Sequence, residues 1–177
     1  GPGERSSVAE SFLADSPMRL RYLAVGHAHR GTPTRAPTHD IASMREPMSN
    51  AADFPLAGGC ALVTGGARRL GEAIVRRLHA AGASVAVHHR TSGGDADDLV
   101  SELNAIRSGS AAAFACDLLE VETLPALIAD VVARFGRLDI LVNNASSFMP
   151  TPVGTITLAQ FDDLVGTNLR APLFLSQ

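Results

Sequence analysis

From Leu56 onward, short apolar runs alternate with longer segments whose apolar positions recur every three or four residues. Cys60 to Thr64 is a run of small and apolar residues closed by glycines, which suits a strand buried on both faces. Glu72 to Ala81 sets Ile74, Val75 and Leu78 against Arg76 and Arg77, the pattern of an amphipathic helix. Ser84 to His88 predicts a second strand. Asp95 to Ile106 predicts a helix with Leu99, Val100, Leu103 and Ile106 on one face. Ala111 to Cys116 follows as a third strand. Val121 to Phe135 carries the strongest helical period, through Leu124, Leu127, Ile128, Val131, Val132 and Phe135. Asp139 to Asn143 is a fourth strand. A last helix opens at Thr157, which has capping-box spacing to Gln160. Its buried face is expected to be Phe161, Leu164, Val165 and Leu169, with Asn168 beside them as a buried amide in need of partners.

Strict alternation of buried strands and amphipathic helices implies a parallel sheet with right-handed crossovers. The fold expected is α/β, a Rossmann-type doubly wound sheet truncated after its fourth strand and the following helix. That arrangement leaves Ile140, Leu141 and Val142 on an uncovered edge, and Pro172 removes a backbone donor from the last helix. The chain as given is therefore expected to be marginally stable.

Residues 1–55 differ from the rest. Ser, Pro, Thr, His, Arg and Gly dominate, and only Phe12 to Val25 is apolar enough for a short helix. This segment reads as a disordered or non-native extension, and residues 56–177 as the nucleotide-binding portion. Glu4, Glu10 and Asp15 argue against a secretory or transit peptide, and Met48 offers an alternative natural start. His27, His29 and His39 could bind metal, but solvated histidines are the default, so no metal is assigned.

A net charge of -3 gives no electrostatic reason to expect nucleic acid or an anionic membrane as partner. No apolar run approaches the roughly 20 residues needed to span a bilayer. Cys60 and Cys116 are too few and too far apart for a disulfide framework or zinc site, and read as core thiols of a cytoplasmic protein.

Candidate chemistry begins in the first strand–helix turn, Thr64-Gly65-Gly66-Ala67-Arg68-Arg69-Leu70-Gly71. Gly65 permits a sharp turn and Gly71 close packing of helix on strand. Helix N-terminal amides can then hold a pyrophosphate. Arg69 stands where a middle glycine is usual and adds a fixed positive charge.

The second strand ends His88-His89-Arg90-Thr91-Ser92, without the acid that would hold a ribose 2′-hydroxyl. Arg90, helped by Ser92, Thr91 or His89, predicts a 2′-phosphate and hence NADPH as cofactor. Asp117 either accepts from the adenine amino group or caps a helix. Asn143, Asn144, Ala145 and Ser146 end the fourth strand, where ligands bind in open α/β sheets.

Together these residues resemble the short-chain dehydrogenase/reductase family: T-G-x-x-x-R-x-G at Thr64 to Gly71, N-N-A at Asn143 to Ala145, and Asn168. Within it, Arg69 and the run Asn143 to Pro152 are similar to the pteridine reductases. The resemblance covers about residues 57–177. It implies NADPH-dependent reduction of a pterin or dihydrofolate by a homo-oligomer, a tetramer in its full-length form. Ser146 would then bond the pterin and cofactor phosphate, Phe148 would stack on the pterin, and Arg69 would lie near pyrophosphate and pterin. Leu70 falls inside the cofactor turn, and Asn168 matches the amide that positions water in the family's catalytic tetrad.

One departure is plain. The family's Y-x-x-x-K pair is absent, since every basic residue of the Lys/Arg class is arginine and the one tyrosine is Tyr22. The chain as given is expected to be inactive. The alternatives are another NADP-dependent carbonyl reductase and a non-catalytic dinucleotide-binding module.

Overall fold

The computed structural model describes residues 54–177, so the expectations for the N-terminal segment, its short helix and its histidines, lie outside the described residues. Four parallel strands, β1 (Cys60–Val63), β2 (Ser84–His89), β3 (Ala111–Ala115) and β4 (Ile140–Val142), form one sheet in the order β3-β2-β1-β4. Val63 pairs with Val87 on one side and Val142 on the other. The chain builds outward from β1 to β3 and then returns to place β4 on the far side of β1. That reversal opens a crevice between the carboxyl ends of β1 and β4, where ligands bind in sheets of this type.

Side-chain alternation along the strands feeds two cores. Val63, Val85 and Val87 pack with Val75 of α1 (Arg69–Ala80) and with Leu99 and Leu103 of α2 (Gly93–Ile106). Cys60, Leu62 and Ala86 face the other way. They meet Leu124, Leu127 and Val131 of α3 (Leu124–Phe135), together with Ala171 and Leu175. Burying each Val- or Leu-sized side chain stabilises by about 1.5–3 kcal/mol, and that holds the two helical layers to the sheet. Cys60 belongs to this core, and burial pushes its thiol up to about 12. Cys116 is only half-buried.

Several details depart from the sequence expectation, the simplest being Ile106, which ends α2 exposed and not on its buried face. Residues Val121–Thr123 form a 3-10 turn and α3 starts at Leu124, because Pro125 lacks an N–H and fits only a first helical turn. The last helix is broken into α4 (Leu158–Val165), a π-helical turn (Gly166–Arg170) and α5 (Ala171–Leu175). Pro172 offers no N–H to the carbonyls behind it, and the Ala171 N–H reaches back to Gly166 across the wider π spacing. The predicted buried face holds only in part, with Leu164 and Val165 half-buried. Phe161 and Leu169 are exposed, and the residues that turn inward are Gly166, Ala171 and Leu175. The capping box at Thr157 forms as expected, with Thr157 and Gln160 bonding each other's backbone N–H.

At the amino end of the sheet, His79 is buried and its Nε2–H donates to Ser110 Oγ at 2.7 Å, since that hydroxyl donates onward to the Arg107 carbonyl. His88 is buried at the opposite end. Burial holds both rings below the ordinary imidazole value of 6.5. The unfolded chain thus takes up protons more readily. Stability is full above 6.5 and is lost as pH falls below it, at about 1.4 kcal/mol per pH unit for each ring within its window. Urea unfolding is expected to show weaker stability at about pH 5.5 than at 7.5, with a shallower fall in His79→Gln. A flat profile across that range would contradict the neutral buried rings.

Candidate functional site

The crevice is built around the end of β1. Thr64 is buried, and its Oγ1 accepts the N–H groups of Asn144 and Ala145, each at 3.0 Å, while donating to the Val142 carbonyl at 3.3 Å. The Asn144 amide answers by donating to the carbonyls of Thr64 and Gly65 at 2.9 and 3.1 Å. Gly65 turns the chain with φ of 61°. Gly71 then brings α1 so close that a Cβ there would stand 2.1 Å from the Gly65 carbonyl oxygen and 2.7 Å from Asn144 Nδ2. No other residue fits that contact.

His88 secures the other flank. Its Nδ1 accepts the Gly65 N–H at 3.1 Å, its Nε2–H donates to the Cys116 carbonyl at 3.0 Å, and its own carbonyl accepts the Gly66 N–H at 2.9 Å. One imidazole therefore ties the ends of β1, β2 and β3 together. Sequence reasoning passed over it, because a histidine at a strand end carries no periodic signal.

Between these supports lies a cleft of about 610 Å³, a size that suits a small-molecule or cofactor site. Of the expected site residues, Gly65, Arg69, Leu70, Gly71, Arg90, Asp117, Asn144, Ala145 and Ser146 line it together. Thr64 lies beneath it. Arg68, His88, Ser147, Asp163 and Thr167 also line it and were not anticipated. His89, Thr91, Ser92 and Asn143 stand outside the lining, although Ser92 is the N-cap of α2 and the buried His89 Nδ1 lacks a partner.

Two of the three cleft arginines are paired with carboxylates. Arg68 bonds Asp95 through Nε at 2.7 Å, and Arg90 stands 3.8 Å from Asp117. The Arg68 guanidinium holds the Asp95 carboxyl below its ordinary range. Arg69 is exposed and has φ of 52°, the one described non-glycine residue in left-handed backbone. That conformation costs roughly 1–2 kcal/mol for an L-residue.

The loop after β4 is stitched to the last helical segment. The Asn168 side chain donates to the Ser147 carbonyl at 2.9 Å and accepts the Ser147 N–H at 3.1 Å. Ser147 Oγ donates to the Asp163 carbonyl at 3.3 Å. Asn168 is thus an exposed clamp, not a buried amide. Phe148, one residue on, is 89% exposed and outside the cleft lining. Among all these contacts the Thr64 hydroxyl serves most partners. Thr64→Val keeps the shape but leaves the Ala145 N–H without an acceptor and the Asn144 N–H with only the Val142 carbonyl, and should lower stability by about 1–3 kcal/mol in urea unfolding. An unchanged midpoint would contradict the clamp.

Known proteins share this architecture. The family model for short-chain dehydrogenases matches residues 59–177. The chain is similar to a hydroxynaphthalene reductase of Aspergillus fumigatus, 39% identical over 124 residues that make up 70% of this chain and 45% of that protein. It is also similar to pteridine reductase 1 of Leishmania tarentolae, 38% identical over 146 residues, covering 65% and 50% of the two chains. A crystal structure of a short-chain dehydrogenase from Burkholderia cenocepacia J2315 in complex with NADP superimposes with a TM-score of 0.66 at 38% identity, over 69% of this chain and 49% of that one. The chain spans about half the length of the relatives it matches. With the parallel sheet, the glycine turn and the Thr64–Asn144 clamp all in place, this chain belongs to the short-chain dehydrogenase family.

Proposed function

We propose that this protein binds NADPH in the cleft and serves the reduction of a flat, fused-ring substrate, a pterin or dihydrofolate. The observation that carries the cofactor assignment is Arg90. It lines the cleft at the end of β2, and no carboxylate stands in the run His88 to Ser92 to favour a free 2′-hydroxyl. The cradle fits a dinucleotide. Gly71 leaves no Cβ where helix and strand meet, and the first amides of α1 have no intrahelical partner, so they suit a pyrophosphate. Arg90, Ser92, Thr91 and His89 would hold the 2′-phosphate, Asp117 the adenine, and Asn144, Ala145 and Ser146 the central part of the cofactor.

NADPH, when bound, would supply the hydride. The chain's own residues would orient the substrate: Ser146 by hydrogen bonding, Arg69 by charge and Phe148 by stacking on a flat ring. The amide of Asn168 spends one donor and one acceptor on the Ser147 backbone, so its part in the site would be to position the loop bearing Ser146. No Tyr–Lys pair is present in this sequence to deliver a proton, so the chain as given would bind without turning over. The longer form would be a homo-oligomer acting in the cytoplasm.

A second reading, reduction of a carbonyl on another ring system, is favoured by two observations. Phe148 stands outside the cleft lining, and one similar protein is a hydroxynaphthalene reductase. Pteridine and naphthalene share a planar two-ring frame, so a substrate screen across both frames separates the readings.

Binding should favour NADPH over NADH, and Arg90→Asp should abolish the preference by removing a charge-assisted bond of about 1.5–3 kcal/mol. Equal affinity for the two before mutation would overturn the assignment. Phe148→Ala should weaken dihydrobiopterin binding by about 0.5–1.5 kcal/mol beyond the lost area, with NADPH affinity nearly unchanged. Titration of both ligands against the variant is the check, and an equal loss for both would remove Phe148 from the substrate site.

A further inference from the structure

His88 occupies a position where its strand has every reason to carry an apolar side chain. Val85, Ala86 and Val87 before it are fully buried, and His88 itself is 2% exposed. A buried imidazole is costly unless both nitrogens find partners. Here they do, and the partners sit just past the ends of two other strands: the Gly65 N–H at Nδ1 and the Cys116 carbonyl at Nε2. The bonding fixes the tautomer. Nδ1 must be bare to accept, and Nε2 must carry the proton to donate.

The contact falls on the turn that shapes the cleft. Gly65 has left-handed backbone, so its N–H is outside the strand ladder and the imidazole is what receives it. The next amide, Gly66, goes to the His88 carbonyl. His88 thus takes the first two amides of the glycine turn, which leaves the amides of Arg69, Leu70 and Gly71, at the start of α1, to face a ligand. We propose that His88 is a positioning residue for nucleotide binding. Its neutral ring sets the glycine turn by holding the Gly65 N–H, and a proton on Nδ1 releases the turn and the ligand with it. This rests on the reading of the cleft as a dinucleotide site.

Several groups face the ring's surroundings. His89 and Arg90 follow it on β2, and Cys116 and Asp117 end β3. Arg68 and Arg69 border the cleft from the turn and α1, and Asp163 from α4. Burial, with His89 beside it, lowers the ring's pKa, while the bond to the Cys116 carbonyl and the Asp117 charge act in the opposite sense.

The test is NADP+ affinity of the intact chain and of two variants, from about pH 7.5 to 5, with circular dichroism recorded on every sample. His88→Asn keeps an acceptor near the Nδ1 position and cannot protonate. His88→Leu removes the acceptor. The unmodified chain should lose about three- to tenfold more affinity than His88→Asn as pH falls below the ordinary imidazole value of 6.5. The His88→Asn profile contains every other pH-dependent contribution, the ligand's own phosphate included, so the difference isolates His88. His88→Leu, where it remains folded, should bind about three- to tenfold more weakly at neutral pH, with His88→Asn restoring most of the loss. Identical pH profiles for the unmodified chain and His88→Asn would overturn the proposal. Failure of every form to bind NADP+ at any pH would overturn the dinucleotide reading itself.

Discussion

The Thr64 hydroxyl and the Asn144 amide form the joint on which the rest of the structure depends. β4 is only three residues long and lies at an edge of the sheet, so its three ladder positions alone hold it weakly against β1. Five side-chain hydrogen bonds between Thr64, Gly65, Val142, Asn144 and Ala145 extend that contact past the strand ends. Each buried amide left without an acceptor would cost about 1–3 kcal/mol, so the joint weighs more than its length suggests. It also fixes the spacing that Gly71 requires: α1 can approach the sheet only because Asn144 and the Gly65 carbonyl already occupy set positions.

From this joint the electrostatics of the cleft follow. The chain is slightly acidic overall, yet Arg68, Arg69 and Arg90 converge on one crevice. Two of them are partnered by exposed carboxylates, at bonds that count for little in water and yield readily to a stronger anion. Arg69 has no such partner among the described ion pairs and holds left-handed backbone. A glycine would occupy that site without strain, so the arginine is an electrostatic choice made at the expense of local stability.

Periodicity made most of this fold legible, because strands buried on both faces and helices with one apolar face leave unambiguous patterns. Leu103, Leu124 and Val131 were recognisable as core from spacing alone, and all three are buried. The pattern failed where tertiary context decides. Phe161 and Leu169 have the spacing of a buried face, but the π turn ahead of Pro172 shifts which side meets the sheet. Glycine roles at positions 65 and 71 were readable from the turn. His88 was not, since nothing in a single sequence separates a histidine that bridges three strands from one that ends a strand in solvent. Asn168 was recognised as a residue of interest, but its engagement with the Ser147 backbone depends on two segments brought together only by folding.

The proposed nucleotide site lies at the carboxyl ends of β1, β2 and β4, on the surface these joints organise. Hydrogen exchange of the intact chain with and without saturating NADP+ tests it directly. Slowed exchange is expected at the amides of residues 65–71, 88–92 and 143–147, which carry the cleft lining at those strand ends. Slowing confined to α4 and α5, or absent throughout with ligand demonstrably bound, would contradict it.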